Sequence, residues 1–70
     1  MIQIGDLLVT KHAQDKMSIE GISIQQVIKA LERGSKFQQT DGLLVTHNYY
    51  SVAYKKIGTK YLIKTVFINR

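Results

Sequence analysis

His12 and Lys16 stand four residues apart in a segment that reads as a helix, so their side chains can reach one volume. An imidazole beside an ammonium group is a usable proton-transfer centre. RNA cleavage through the 2′-hydroxyl needs a base for that hydroxyl and an acid for the leaving 5′-oxygen. It also needs cations for the charge that builds on phosphorus. His12, Lys16, Lys64 and one of Tyr54 or Tyr61 could supply these roles without a metal. A structural role competes with this reading, because His12 could equally satisfy the first helical turn or pack where helix meets sheet. Both readings stay open on sequence.

Other chemistries find less support. The chain has no cysteine, two histidines and scattered carboxylates, so no metal-ligand spacing and no cofactor motif emerges. Its serines lie in no nucleophile-elbow pattern, and Gly34-Ser35-Lys36 lacks the glycine run of a phosphate loop.

Charge is distributed unevenly. Residues 1–41 carry all five acids (Asp6, Asp15, Glu20, Glu32, Asp41) and five bases, whereas residues 42–70 carry Lys55, Lys56, Lys60, Lys64 and Arg70 with no acid. The second half also holds all four tyrosines. A basic, tyrosine-bearing region suits a polyanion, with lysines on phosphate and tyrosines stacking on bases. Tyr54, Lys55, Tyr61 and Lys64 are the candidate RNA contacts. Lys55, Lys56 and Lys60 surround one turn, where lysines ordinarily solvate the surface. Lys64 differs because it interrupts an apolar strand. Lysines offer point charges rather than bidentate forks, so base-specific reading is not expected.

The elements that would position these groups follow from periodicity. Residues 1–9 fit either a short strand or a lead-in under the sheet, with Gly5-Asp6 against one continuous element. Thr10 caps a helix running to about Ile19, Ala13 and Met17 form its buried stripe, and Gly21 stops it. Ser23 with Gln26 makes a capping box for a second helix, and Ile22 against Val27 a hydrophobic staple. Ile24, Val27, Ile28 and Leu31 share one face, and Gly34 marks a natural C-terminal stop.

Beyond Gly34 the period becomes two. Lys36–Gln39 and Leu43–Thr46 flank Thr40-Asp41-Gly42, a hairpin signal. Tyr50–Tyr54 follows a turn or bulge at His47-Asn48. Tyr61–Ile68 then forms a last, interior strand, with Tyr61, Ile63, Thr65 and Phe67 opposite Leu62, Lys64, Val66 and Ile68. The expected fold is α+β: two amino-terminal helices on a curved antiparallel sheet of three or four strands.

Seventy residues allow a single domain, 1–70, with a thin stability margin. The longest apolar runs are three residues, so no membrane span is expected, and no signal peptide is visible. The default expectation is a soluble cytoplasmic protein, with homodimerisation as one way to enlarge its core.

The run Thr10-Lys11-His12-Ala13, then Lys16-Met17, Gly21-Ile22-Ser23, Val27 and Lys64-Thr65-Val66-Phe67, resembles a family of small prokaryotic domains of unknown function related to the RelE, ParE and BrnT toxins. The resemblance spans about residues 8–68. It implies a RelE-like fold whose concave sheet surface binds RNA or another target and is masked by an antitoxin. On that likeness His12 matches a recurring histidine of the first helix. Lys16 and Glu20 fall where many relatives have arginines, and Glu20 reverses the charge.

The leading expectation is therefore a toxin-like RNA-binding protein with metal-independent endoribonuclease activity as an open question. The alternatives are a non-enzymatic protein-interaction module and a small nucleic-acid binder without chemistry. On the packing side, Leu31→Ala should cost about 2–5 kcal/mol by emptying a core site. Chemical denaturation should show a loss comparable to the whole margin of so small a domain.

Overall fold

The computed structural model describes residues 1–69. Its two helices begin where local side chains can cap them. α1 (Lys11–Glu20) starts at Thr10, whose hydroxyl accepts the Ala13 N–H at 3.0 Å. It ends at Gly21, where φ is 72°, a left-handed angle that glycine adopts without a Cβ penalty. α2 (Ile24–Arg33) starts from the full capping box: Gln26 N–H donates to Ser23 Oγ at 3.2 Å, and Ser23 N–H to Gln26 Oε1 at 2.9 Å. Val27, Ile28, Ala30 and Leu31 form its buried face, and Ile22 and Val27 are both buried as the staple requires.

The other described residues build five strands, not three or four. A single 3-10 turn at Ile4–Asp6 leads into β1 (Leu7–Val9), followed after the helices by β2 (Ser35–Gln39), β3 (Gly42–His47), β4 (Tyr50–Ile57) and β5 (Lys60–Ile68). Their order across the sheet is β1-β5-β4-β3-β2. Four strands form an antiparallel meander, while β1 pairs in parallel with β5 through Leu7 with Tyr61, Leu8 with Leu62 and Val9 with Ile63. The sheet is thus mixed and open, without barrel closure or strong curl, and both helices lie against it.

Gly34 ends α2 as expected, at a φ of −76° that places no demand for glycine. Its need is close approach, since a Cβ there would lie 2.5 Å from Val45 Cγ2 and 2.7 Å from the Ala30 and Thr46 carbonyl oxygens. The expected alternation of β5, by contrast, is broken. Ala53 pairs with Thr65 but Tyr54 pairs with Ile63, leaving Lys64 as the extra residue of a β-bulge. Past the bulge the faces exchange: Val66 and Ile68 join Ile63 and Tyr61 towards the helices, and Thr65 and Phe67 turn to the other surface.

The core fills the space between helices and sheet. Val45, Val52, Ile63 and Val66 are fully enclosed there with Ala13, Val27 and Ala30. Tyr50 is buried with them and donates its hydroxyl to the Gln26 carbonyl at 2.7 Å, tying β4 to the first turn of α2. Thr10 makes a second tie. Besides capping α1, its hydroxyl donates to the Ile63 and Lys64 carbonyls at 3.1 and 3.3 Å, at the bulge itself. Thr10→Ala should cost about 1–2 kcal/mol through the lost cap. Thr10→Ser should recover most of it, and hydrogen exchange should localise the loss to α1 and the Ile63–Thr65 amides.

Candidate functional site

The sheet surface facing away from the helices is the candidate binding surface. By alternation and register it presents Leu8, Leu62, Lys64, Thr65 and Phe67 from β1 and β5, and Ser51, Ala53 and Lys55 from β4. Leu44, Thr46 and Phe37 complete it from β3 and β2. Leu8 and Phe37 are exposed, and Leu44, Leu62 and Phe67 are partly so. Among the described residues no helix covers this side, and α1 meets it through the His12–Thr65 contact.

Its electrostatic centre is Asp41, in the two-residue turn between β2 and β3. The carboxylate accepts from Lys55 Nζ at 3.0 Å and stands 3.5 Å from Lys64 Nζ. Lys64 also donates to the Asp41 backbone carbonyl. Because β4 lies between β5 and β3, the Lys64 stem crosses β4 to make this contact. Asp41 thus joins a turn to two strands. The Lys55 hydrogen bond and charge, then the Lys64 charge, hold its carboxyl below the usual 3.8.

The candidate residues fall into separate groups. His12 is exposed, and its Nε2 lies 3.1 Å from Thr65 Oγ1, next to Lys64 on β5. Lys16 does not join it: Lys16 Nζ pairs with Glu20 at 3.1 Å one turn further along α1. Tyr54 and Tyr61 belong to the helix-side surface. Their ring centroids are 6.0 Å apart, and Tyr54 is buried. Burial, then the neighbouring Tyr61, raises the Tyr54 hydroxyl above 10.0. Lys56 Nζ lies 4.9 Å from the Tyr61 ring centroid, a cation–π contact on that same side. Lys55 and Lys64 are on the opposite surface from both tyrosines.

A hydroxyl cluster completes the open face at the far end of β4. Ser51, almost fully buried, donates to Asn69 Oδ1 at 2.6 Å and shares a hydrogen bond of 2.9 Å with Thr46 Oγ1. Among the described residues no buried side-chain polar atom lacks a partner. Nor do three histidine, aspartate or glutamate side chains gather in a metal-holding group there. A shallow depression of about 380 Å³ lined by Gln14, Met17, Ser18 and Ile22 carries no ionisable side chain. No helix among the described residues is long and apolar enough to cross a membrane. Arg70 lies outside the described residues.

Sequence reading missed Asp41 and Thr65. Asp41 could have been noticed as the last acid before an acid-free half. Nothing local marks Thr65, because its partner His12 is 53 positions away.

The depressed Asp41 carboxyl fixes the sign of a pH effect. Its ties are fully present above 3.8 and are lost as acid brings the pH down through its lowered folded value. Carboxyl NMR should give an Asp41 midpoint below 3.8, returning upward more in Lys55→Ala than in Lys64→Ala, since Lys55 is the larger cause. Equal midpoints in all three proteins would contradict the assignment. Compared with known proteins, the chain matches no family model, no curated protein and no solved structure.

Proposed function

We propose that the chain is a small RNA-binding domain whose open sheet face holds single-stranded RNA without cleaving it. The observation that carries the reading is the Lys55–Asp41–Lys64 cluster. A phosphate arriving there can replace the Asp41 carboxylate as the partner of either ammonium group, so the lysines are already held on one surface. Phe37 and Phe67 lie on the same face and offer apolar rings on which bases can stack. The positive balance of the whole chain, +5, adds long-range attraction.

The separation of the candidate catalytic groups favours binding over chemistry. His12 engages Thr65, Lys16 engages Glu20, and both candidate tyrosines lie across the sheet. On the binding side His12 is held by Thr65 and Lys64 by Asp41, so neither is paired with the other for proton transfer. The sequence resemblance to RelE-type toxins is compatible with this reading, since one fold can host more than one activity.

Fluorescence anisotropy with a short unstructured RNA tests the proposal. Binding should weaken with salt, with a logarithmic slope near −0.7 for each phosphate contact on a single strand. Lys64→Ala should weaken affinity and remove about one such contact. Asp41→Asn should tighten binding several-fold by releasing both lysines. Unchanged affinity in both variants, or salt-independent binding, would overturn the RNA reading. RNA products ending in 2′,3′-cyclic phosphate, formed in chelator and abolished by His12→Ala, would instead establish a nuclease.

A second reading rests on the apolar part of the same face. Leu8, Leu44, Leu62, Phe37 and Phe67 would suit an apolar segment of a protein partner such as an antitoxin, with acids reaching Lys55 and Lys64.

A further inference from the structure

β2 leaves a strand edge open. All five residues, Ser35–Gln39, are exposed, and β2 is the outermost strand beside β3. Its outward N–H and C=O groups have no neighbouring strand among the described residues. Strand edges are commonly guarded by short length, proline, a bulge, charged side chains (lysine above all) or a covering element. Here the pairing with β3 runs without a bulge, the strand has no proline, and Lys36 is its single charge. The other edge is different: β1 is three residues long, and the chain turns directly into α1.

We infer that β2 pairs antiparallel with β2 of a second copy, about a two-fold axis through Phe37, to form a continuous ten-stranded sheet. The strand is self-complementary in this register. Ser35 faces Gln39 of the second copy, Lys36 faces Gln38, and Phe37 faces Phe37. All five residues find a partner, and no like charges meet. Centring on Lys36 would set two ammonium groups opposite one another, which is unfavourable. Centring on Gln38 would leave Ser35 beyond the end of the partner strand.

The chosen register brings the two half-exposed phenylalanines together on the open face, where cross-strand aromatic pairs are favourable. A two-fold contact uses both β2 edges and closes, whereas a head-to-tail contact would propagate. The assembly also makes one surface of two open faces. In that respect it extends the proposed binding role, although it does not depend on RNA being the ligand.

A five-residue edge is a small contact, below the roughly 800 Å² that each partner gives to a standard interface. The dimer is therefore a weak one that forms at high protein concentration. Each copy carries +5, so added salt strengthens it by screening repulsion between copies. Salt weakens RNA binding, so the two proposals fail independently.

The cysteine-free chain allows a direct test of register. Phe37→Cys, Ser35→Cys and Gln39→Cys each place one thiol at an exposed site. In a glutathione redox buffer, Phe37→Cys should form a disulfide dimer well ahead of either other variant alone. Opposed residues in an antiparallel pair lie about 4.5–5.5 Å apart at Cα, within disulfide range. Mixing Ser35→Cys with Gln39→Cys should give the mixed disulfide in preference to either homodimer. In the unaltered protein, β2 amides should gain hydrogen-exchange protection as concentration rises, and more so in higher salt. Equal cross-linking at all three sites, or β2 protection independent of concentration, would overturn the inference.

Discussion

One hydroxyl governs how the helical half meets the sheet. Thr10 Oγ1 accepts the Ala13 amide and donates to the carbonyls of Ile63 and Lys64. The oxygen that starts α1 therefore also grips β5 where that strand carries an extra residue. Its backbone N–H adds a contact to Ile63 at 3.3 Å, continuing the β1–β5 ladder for one more step. The beginning of α1, the end of the parallel pairing and the bulge are fixed by the same residue. That geometry brings His12, two positions later, to Thr65 and enables Lys64 to reach across β4.

The bulge reconciles two demands on β5. Ile63 and Val66 must both be buried, yet a strictly alternating strand would place residues three apart on opposite faces. One extra residue between them solves this and sends Lys64 and Thr65 to the open surface. Alternation already sets Lys64 opposite Tyr61; the exchange brings Thr65 and Phe67 onto the same face as Lys64. A single local irregularity thus sets which groups share the open surface.

Electrostatics on the open face also differ from what composition suggests. The acid-free half gives an impression of uncompensated positive charge. Asp41 from the neutral half sits between Lys55 and Lys64, because Lys55 meets it from β4 and the Lys64 stem reaches it across that strand. These are exposed pairs, so their contribution to stability is small and falls with salt. Their larger effect is to hold two lysine side chains in place while limiting the local positive potential.

The sequence alone determined the elements whose causes lie within a few residues. Thr10 and the Ser23–Gln26 box announce helix starts, Gly21 a helix stop, and Asp41-Gly42 a hairpin, because capping and turn formation involve neighbours in the chain. The helical stripe of Val27, Ile28 and Leu31 was equally legible from its spacing. Tertiary structure alone decided that β1 inserts parallel to β5, that Lys64 is a bulge residue, and that His12, Asp41, Thr65 and Lys55 find their partners. Those outcomes join residues 14 to 54 positions apart. Their physical basis is simultaneous burial of Ile63 and Val66, together with pairing of backbone groups across the sheet. Neither constraint can be evaluated until the strands lie side by side.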